Sequence, residues 1–148
     1  VGAAVRSYRY PLPVPGAVAV REAGVRIAAR LVRPPRPLPR RRRSLPAFWR
    51  RLPPEGARRE YLAPAALSFP LAVRSRLPGD RYHPLGRGGS RKVKAIMIDG
   101  KIPPSLRPLL PLVVSGRRVV WLVGHRPAEE CRLREGSRLA LELRAEPL

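Results

Sequence analysis

The sequence predicts an α+β fold, a small mixed domain with antiparallel hairpins and two short helices, preceded by a small β unit and a Pro/Arg-rich linker. Apolar runs at 112–114 and 119–123 are joined by Ser-Gly-Arg-Arg, which is typical of a hairpin. Residues 138–144 alternate leucine with other residues, as a strand does. The 148 residues include 20 prolines and only 5% aromatic residues, which favours short elements and many turns.

Residues 1–33 contain the predicted β unit. Residues 17, 19 and 21 alternate with the valines at 18 and 20, Glu-Ala-Gly at 22–24 makes a turn, and a return strand runs from Val25 to Leu31. A lone hairpin is marginal in water, so it needs a packing partner, for which a domain not present in this chain is one candidate, with residues 1–33 as the end of a preceding middle domain.

Residues 34–58 are the predicted linker, because proline removes the backbone donors that helices and sheets need. The arginine run at 40–43 has two interpretations. It is either a solvated charge run or part of an arm that follows phosphates, with Phe48 and Trp49 stacked on bases. The two aromatic residues could equally anchor the arm on the next domain.

Residues 59–148 carry the main predicted domain. It begins with Tyr61-Leu62 and a turn or short helix at 64–67. A strand then runs from Leu71 to Leu77, with residues 71, 73 and 75 on one face. The second short helix covers 105–110, where Pro108 limits its length. In the last strand, residues 139, 141 and 143 are predicted to point inward and residues 140, 142 and 144 outward.

The stretch 74–101 concentrates the features that indicate binding. A turn at 78–80 leads to a glycine-rich basic loop at 86–89, and Ser90 is the expected N-cap of a helix beginning at Arg91. All three lysines, Lys92, Lys94 and Lys101, lie here. Cations at a helix N-terminus oppose its dipole, so an anion is expected nearby, and a phosphate-binding loop is predicted at Gly88, Gly89 and Ser90. The alternative is a solvated basic surface.

The strongly positive overall charge indicates what kind of partner the chain binds. A formal charge of +21 and a pI near 11.9 indicate a polyanionic partner, either nucleic acid or an acidic membrane face. No apolar run reaches the length of a membrane span, and the N-terminus lacks the order of a signal peptide. A single cysteine, Cys131, fits a reducing cytoplasm. The absence of Asn, Gln and Thr suggests a thermophile or a GC-rich genome, and the missing initiator methionine suggests the end portion of a longer protein.

The sequence contains no motif typical of a nucleotide-binding, metal or catalytic site. Gly-Gly-Ser at 88–90 is followed by Arg-Lys and so does not make a Walker loop. Asp80, His83, His125 and the acids at 129–130 lack the spacing of a metal or catalytic site, so none is assigned. Asp80 is instead expected to cap its turn and to orient Arg74 or Arg81. Trp121 is expected in the core and Cys131 half-buried.

Residues 69–130 resemble the C-terminal domain of bacterial tRNA(Ile)-lysidine synthetase in one colinear register. The matching residues are Pro70-Leu71, Arg74, Pro78 to Tyr82, Pro84 to Gly86, Lys92 to Lys94, Lys101 to Pro103, Arg107, Pro111 to Val113, Trp121 and Gly124 to Arg126. The family pattern usually has acids where this chain has Ala95 and Pro108.

The resemblance implies an enzyme that uses ATP to join lysine to the wobble cytidine of the isoleucine tRNA with a CAU anticodon. ATP and magnesium belong to its catalytic ATP-pyrophosphatase domain, whose Ser-Gly-Gly-x-Asp-Ser loop does not occur here, so this chain alone is expected to be catalytically silent. The C-terminal domain is implied to grip the acceptor stem of the tRNA. The contact candidates carried over are Arg74, Arg81, Lys92, Lys94, Lys101, Arg107 and Arg126. Two alternatives are a structural RNA-binding protein of ribosomal type and a self-contained enzyme using Asp80 and His83.

Overall fold

The computed structural model of the chain describes residues 7–37, 58–86 and 88–148. Most of the predicted linker, including the arginine run at 40–43, Phe48 and Trp49, lies outside the described residues, as does Arg87 of the basic loop.

Strands dominate the described ranges. They are β1 (Arg9–Leu12), β2 (Gly16–Val20), β3 (Val25–Val32), β4 (Arg58–Leu62), β5 (Leu71–Arg74), β6 (Arg81–Tyr82), β7 (Arg91–Lys92), β8 (Leu112–Ser115), β9 (Arg118–Leu122) and β10 (Ala140–Pro147). The helix α1 spans Val93–Asp99, and short 3-10 helices cover Pro64–Ala66, Arg107–Leu109 and Glu129–Cys131. Of the two predicted helices, the one at 105–110 is therefore only a single 3-10 turn.

Two four-stranded sheets and one two-stranded ribbon organise these strands. The first sheet has the order β1-β5-β8-β9, the second has the order β2-β3-β10-β4, and the ribbon pairs β6 with β7. All the pairings are antiparallel. The mixed α+β class is confirmed, and so is the hairpin of β8 and β9. None of the described helices is long and apolar enough to cross a membrane.

The N-terminal β unit finds its packing partner within this chain. Strands β2 and β3 form the predicted hairpin, and Gly24 occupies the left-handed region at φ 68° in its turn. Strand β3 then pairs along its whole length with β10, from Val25 opposite Pro147 to Val32 opposite Ala140. Strands from residues 1–33 and from residues 59–148 share both four-stranded sheets.

Strand β10 is buried on both faces over its first half. Leu141 and Leu143 are fully buried as predicted. Leu139 precedes the strand and is 52% exposed, so its predicted inward orientation is wrong. Ala140 and Glu142 were predicted to face outward and are buried. The Glu142 carboxylate is compensated by Arg30 on β3, whose Nε donates to it at 2.9 Å.

Strand β5 is shorter and more buried than the sequence predicted. It ends at Arg74 rather than Leu77, and all four of its residues are buried. Residues 72 and 74, predicted on the opposite face from Leu71 and Val73, are buried as well, so both faces of this strand are covered.

The buried apolar residues of both large sheets and of α1 belong to one cluster. Trp121 lies fully buried within it, as predicted, and its indole Nε1 donates to the carbonyl of His125 at 2.8 Å. This bond satisfies the polar end of the ring. It also fixes the turn at 124–126, and Arg126 of this turn bonds to residues of the candidate site.

The central position of β10 can be tested by shortening Leu141. Leu141→Ala should lower the free energy of unfolding by about 2–5 kcal/mol, because it leaves a cavity between the sheets. Leu139→Ala removes the same atoms from an exposed position and should change it by less than about 0.5 kcal/mol. Urea denaturation measures both. Similar losses for the two variants would contradict the described burial of β10.

Candidate nucleic-acid interface

A two-stranded basic ribbon lies at the centre of the candidate site. Strands β6 and β7 place Arg81 opposite Lys92 and Tyr82 opposite Arg91. Residues that face each other in an antiparallel pair project from the same side. Tyr82 is buried, so its side of the ribbon faces the core, while Arg81 and Lys92 are both exposed on the other side. Two like charges placed directly opposite are unfavourable unless an anion lies between them.

Asp80 joins the ribbon to the first sheet. Its carboxylate accepts two parallel hydrogen bonds from Arg74, at 2.8 and 2.9 Å, and a third from the amide of Leu77 at 2.7 Å. Its carbonyl oxygen accepts the amide of Val93, the first residue of α1, at 2.9 Å. The predicted roles of Asp80 in capping the turn and orienting Arg74 are both confirmed.

Arg74 itself does not present its charge to solvent. It is 7% exposed, and its Nη1 donates to the carbonyl of Ser75 at 3.1 Å in addition to binding Asp80. The structure therefore separates Arg74 from the other contact candidates, because burial and the bidentate pair occupy its donors.

The predicted helix start is wrong. Helix α1 begins at Val93, its N-cap is Lys92, and no side chain caps it. Ser90 is instead engaged by Arg81, whose Nε donates to the hydroxyl at 3.2 Å and whose Nη2 donates to the carbonyl at 3.1 Å. The hydrogen bonding between β6 and β7 made extended backbone more favourable at residues 91–92 than a helical turn. The phosphate-binding loop predicted from Gly88, Gly89 and Ser90 is exposed but does not lead directly into a helix.

A clamp from the segment 126–129 holds the base of the glycine loop. Arg126 donates from Nη1 to the carbonyl of Leu85 at 3.1 Å, and its own carbonyl accepts the hydroxyl of Tyr82 at 2.9 Å. A side chain on Gly86 would place its Cβ 2.8 Å from that Nη1, and Gly86 also has a φ of 76°. The positive φ is what favours glycine at residue 86, because a Cβ there would only displace the flexible tip of Arg126.

Backbone bonds complete the clamp. The amide of Leu85 donates to Pro127 at 2.9 Å, and the amide of Glu129 donates to His83 at 2.7 Å. The carboxylate of Glu129 accepts the amide of Gly86 at 3.3 Å. Sequence reasoning missed these roles of Tyr82 and Glu129, because pairing across more than forty residues leaves no local pattern.

The end of α1 carries the third lysine. The amide of Lys101 donates to Ile98 at 2.9 Å and that of Ile102 donates to Met97 at 3.0 Å, which is the Schellman pattern. Lys101 therefore adopts a φ of 56°, and no other non-glycine among the described residues has a positive φ. Glycine usually occupies this position, but here Gly100 lies one residue earlier with a φ of −76°. Lys101 is exposed in a conformation that costs a side chain free energy.

The seven contact candidates fall into three groups. Arg81, Lys92, Lys94 and Lys101 are exposed. Arg107 and Arg126 are partly buried and each donates to a backbone carbonyl, Arg107 to Ile102 at 3.0 Å. Arg74 is buried. The exposed group includes all three lysines, and the described structure brings Arg81 and Lys92 together through the ribbon, with Lys94 two residues beyond.

Two titratable side chains, Cys131 and His125, have pKa values shifted by burial. Burial raises the pKa of the Cys131 thiol to about 11, so it stays protonated at neutral pH, and it is fully buried rather than half-buried as predicted. Burial, with a smaller contribution from Arg58, lowers the pKa of His125 to about 4. Among the described residues, no three of His, Cys, Asp and Glu lie close enough together to hold a metal ion.

Comparison with known proteins adds independent information. The family model described as "TilS substrate C-terminal domain" matches residues 71–142. The tRNA(Ile)-lysidine synthase of Symbiobacterium thermophilum is 41% identical over 123 residues, which are 83% of this chain and 23% of that protein. The enzyme of the same name from Geobacter sulfurreducens is 46% identical over 70 residues, which are 47% of this chain and 15% of that protein. The chain thus spans less than a quarter of the length of these relatives.

Two solved structures are similar. A crystal structure of the TilS C-terminal domain superposes with a TM-score of 0.75 at 27% identity, covering 97% of this chain and 98% of that one. An N-terminal fragment of the phenylalanyl-tRNA synthetase β-subunit from Pyrococcus horikoshii gives a TM-score of 0.53 at 12% identity, covering 62% of this chain and 28% of that one. The second likeness concerns the fold alone.

The role of Asp80 can be measured by its removal. Asp80→Ala leaves Arg74 buried without its partner and should lower the free energy of unfolding by about 3–5 kcal/mol. Asp99→Ala is the matched control, because Asp99 is paired with Arg91 but its side chain is 63% exposed, and it should cost less than about 1 kcal/mol. Thermal and urea unfolding give both values. A loss at Asp80 no larger than that at Asp99 would remove the basis for its joining role.

The low pKa of His125 predicts a pH dependence of stability. An unfolded histidine takes up a proton near pH 6.5, whereas folded His125 does so near pH 4, so protons favour the unfolded chain between these values. The contribution of His125 to the free energy of unfolding is complete above pH 6.5 and is lost as the pH falls towards 4. The loss is at most about 1.4 kcal/mol per pH unit. Between pH 7.5 and 5 the loss should reach at most about 2 kcal/mol.

Two variants separate this effect from other groups. His125→Gln should abolish most of the change between pH 7.5 and 5, and His83→Gln should keep it. Unfolding curves of the three proteins at both pH values are the measurement. An unchanged pH dependence in His125→Gln would show that another group titrates.

Proposed function

Because residues 71–142 belong to the family of tRNA(Ile)-lysidine synthase C-terminal domains, we propose that this chain holds the tRNA substrate of such an enzyme. In this proposal, a catalytic ATP-pyrophosphatase domain uses ATP to activate the wobble cytidine of the isoleucine tRNA with a CAU anticodon and joins lysine to it. This chain takes no covalent part. It fixes the position of the tRNA while the chemistry takes place elsewhere.

The observation that carries the proposal is the exposed pair of Arg81 and Lys92. The two cations lie directly opposite each other on the ribbon, and neither has an ion-pair partner in the described part of the chain. A phosphate between them would turn an unfavourable pair into a favourable site. Lys94, exposed near the start of α1, adds a further point charge beside it.

The acceptor stem is the proposed target within the tRNA. It is an A-form duplex, which proteins recognise by shape through phosphates and 2′-hydroxyl groups rather than through base edges. The site offers suitable groups, namely three exposed lysines, Arg81 and the exposed glycine backbone at 88–89. Arg107 and Arg126 are proposed to act mainly by shaping the surface, because each is partly buried as well as bonded to a backbone carbonyl, whereas Arg81 is exposed.

The alternative of a structural RNA-binding protein of ribosomal type is not favoured, since relatives along most of this chain are tRNA(Ile)-lysidine synthases.

The first test is the salt dependence of tRNA binding. If the chain neutralises about four to six phosphates, the logarithm of the association constant should fall with the logarithm of the salt concentration with a slope of roughly −3 to −5. Fluorescence anisotropy with a labelled isoleucine tRNA transcript between 50 and 300 mM KCl measures it. A flat response would contradict phosphate-based binding.

The second test removes the ribbon lysines. Lys92→Ala with Lys94→Ala should weaken tRNA binding about tenfold at 100 mM salt and reduce the slope by about two, because each phosphate contact contributes about one. Arg134→Ala with Arg138→Ala removes the same charge from exposed positions outside the site and should change binding less than twofold. Equal losses in both double variants would indicate a net-charge effect and not a site.

The third test concerns the conformation of Lys101. Lys101→Gly relieves left-handed strain of about 1–2 kcal/mol and loses a favourable charge at a helix end of about 0.3–1 kcal/mol. It should therefore stabilise the fold by up to about 1.7 kcal/mol while weakening tRNA binding about threefold. Lys101→Gln should weaken binding equally without the gain in stability. Unchanged binding in both variants would remove Lys101 from the interface.

A further inference from the structure

The outward face of the second sheet carries a separate group of arginines. Arg26 and Arg30 lie on β3, Arg144 on β10 and Arg59 on β4. The register places Arg144 between Ala28 and Arg59, and Arg26 beside Glu146. Directly paired residues share a face, so all four arginines project from the side opposite the buried Ile27, Leu143 and Ala145. None of these four positions belongs to the ribbon or the glycine loop.

Two of the four arginines have no ion-pair partner in the part of the chain that the structure describes. Arg30 is bonded to Glu142 at 2.9 Å and Arg144 to Glu146 at 3.1 Å. Arg26 and Arg59 are exposed, and among the described residues neither forms an ion pair or a side-chain hydrogen bond. Arg59 also lies directly opposite Arg144, and the Nε of Arg144 has no hydrogen-bond acceptor. Unlike the ribbon pair, this like-charge pair is partly compensated, because Arg144 is bonded to Glu146.

The arginines spread over three neighbouring strands of this face. Ala28 lies between Arg26 and Arg30 on β3, and β10 carries the two acids of the face, Glu142 and Glu146. Strand geometry separates Arg26 from Arg30 by about 13 Å along β3, and Arg59 from β3 by about 10 Å across the sheet. Cations spread over such distances suit an extended run of phosphates better than one small anion.

We propose that this face is a second phosphate-binding surface, which contacts the RNA backbone through Arg26 and Arg59. The inference rests on the proposed function, since it takes the same tRNA as the ligand. Arginine fits this task because its planar guanidinium can donate two bonds to one phosphate. The chain's own segment at 38–57 is a poor occupant for this face, because it contains six arginines and one glutamate.

The test substitutes the two unpaired arginines. Arg26→Gln with Arg59→Gln should raise the Kd for the isoleucine tRNA transcript about five- to tenfold at 100 mM KCl and reduce the salt slope by about two. Arg26→Lys with Arg59→Lys keeps the charge and should retain the slope. The control, Arg134→Gln with Arg138→Gln, removes two exposed arginines elsewhere and should change the Kd less than twofold. Circular dichroism of each variant establishes that the sheets remain folded.

The outcomes distinguish this inference from the proposed function. A loss in the ribbon variant without a loss in Arg26→Gln with Arg59→Gln would overturn the second surface and keep the first. The reverse result would keep this surface and overturn the ribbon as the site. An equal loss in the control variant would overturn both assignments, and so would a wild-type chain that does not bind the transcript.

Discussion

The bidentate pair between Arg74 and Asp80 is the constraint on which the candidate site depends. Arg74 ends a central strand of the first sheet, and Asp80 begins the segment that carries the ribbon, so one buried ion pair connects the core to the interface. The same residue binds the first amide of α1 through its carbonyl. Without this connection the ribbon would rest mainly on Tyr82 and on the clamp at 126–129.

The limited supply of acids explains why so many cations remain exposed. The chain has ten Asp and Glu residues against 31 Lys and Arg residues, and several of those acids serve internal bonds. Asp80 binds Arg74, Glu129 binds the amide of Gly86, and Glu142 binds Arg30. The acids therefore serve internal bonds, while Arg81 and Lys92 on the ribbon and Arg26 and Arg59 on the outward sheet face have no ion-pair partner among the described residues. Both arrangements favour a polyanionic ligand.

Local pattern predicted those parts of the fold that depend on neighbours in sequence. The hairpins β2-β3 and β8-β9 and the Asp80 turn all follow from alternation and from turn residues within a few positions. Pairing of β3 with β10 could not be predicted, because a strand pattern does not specify a partner over one hundred residues away. The errors at Leu139 and β5 have the same cause, because burial depends on which distant elements cover a residue. For the site, charge identified the exposed cations, but it could not reveal that Arg74 is buried.

The most direct measurement of the central claim maps the RNA contact on the protein. Amide chemical shifts of the labelled 148-residue chain would be followed during titration with an RNA hairpin that reproduces the acceptor stem. The account predicts the largest changes at residues 81, 88–94 and 101. Changes confined to other regions such as 132–139, with the ribbon amides unmoved at saturation, would contradict it.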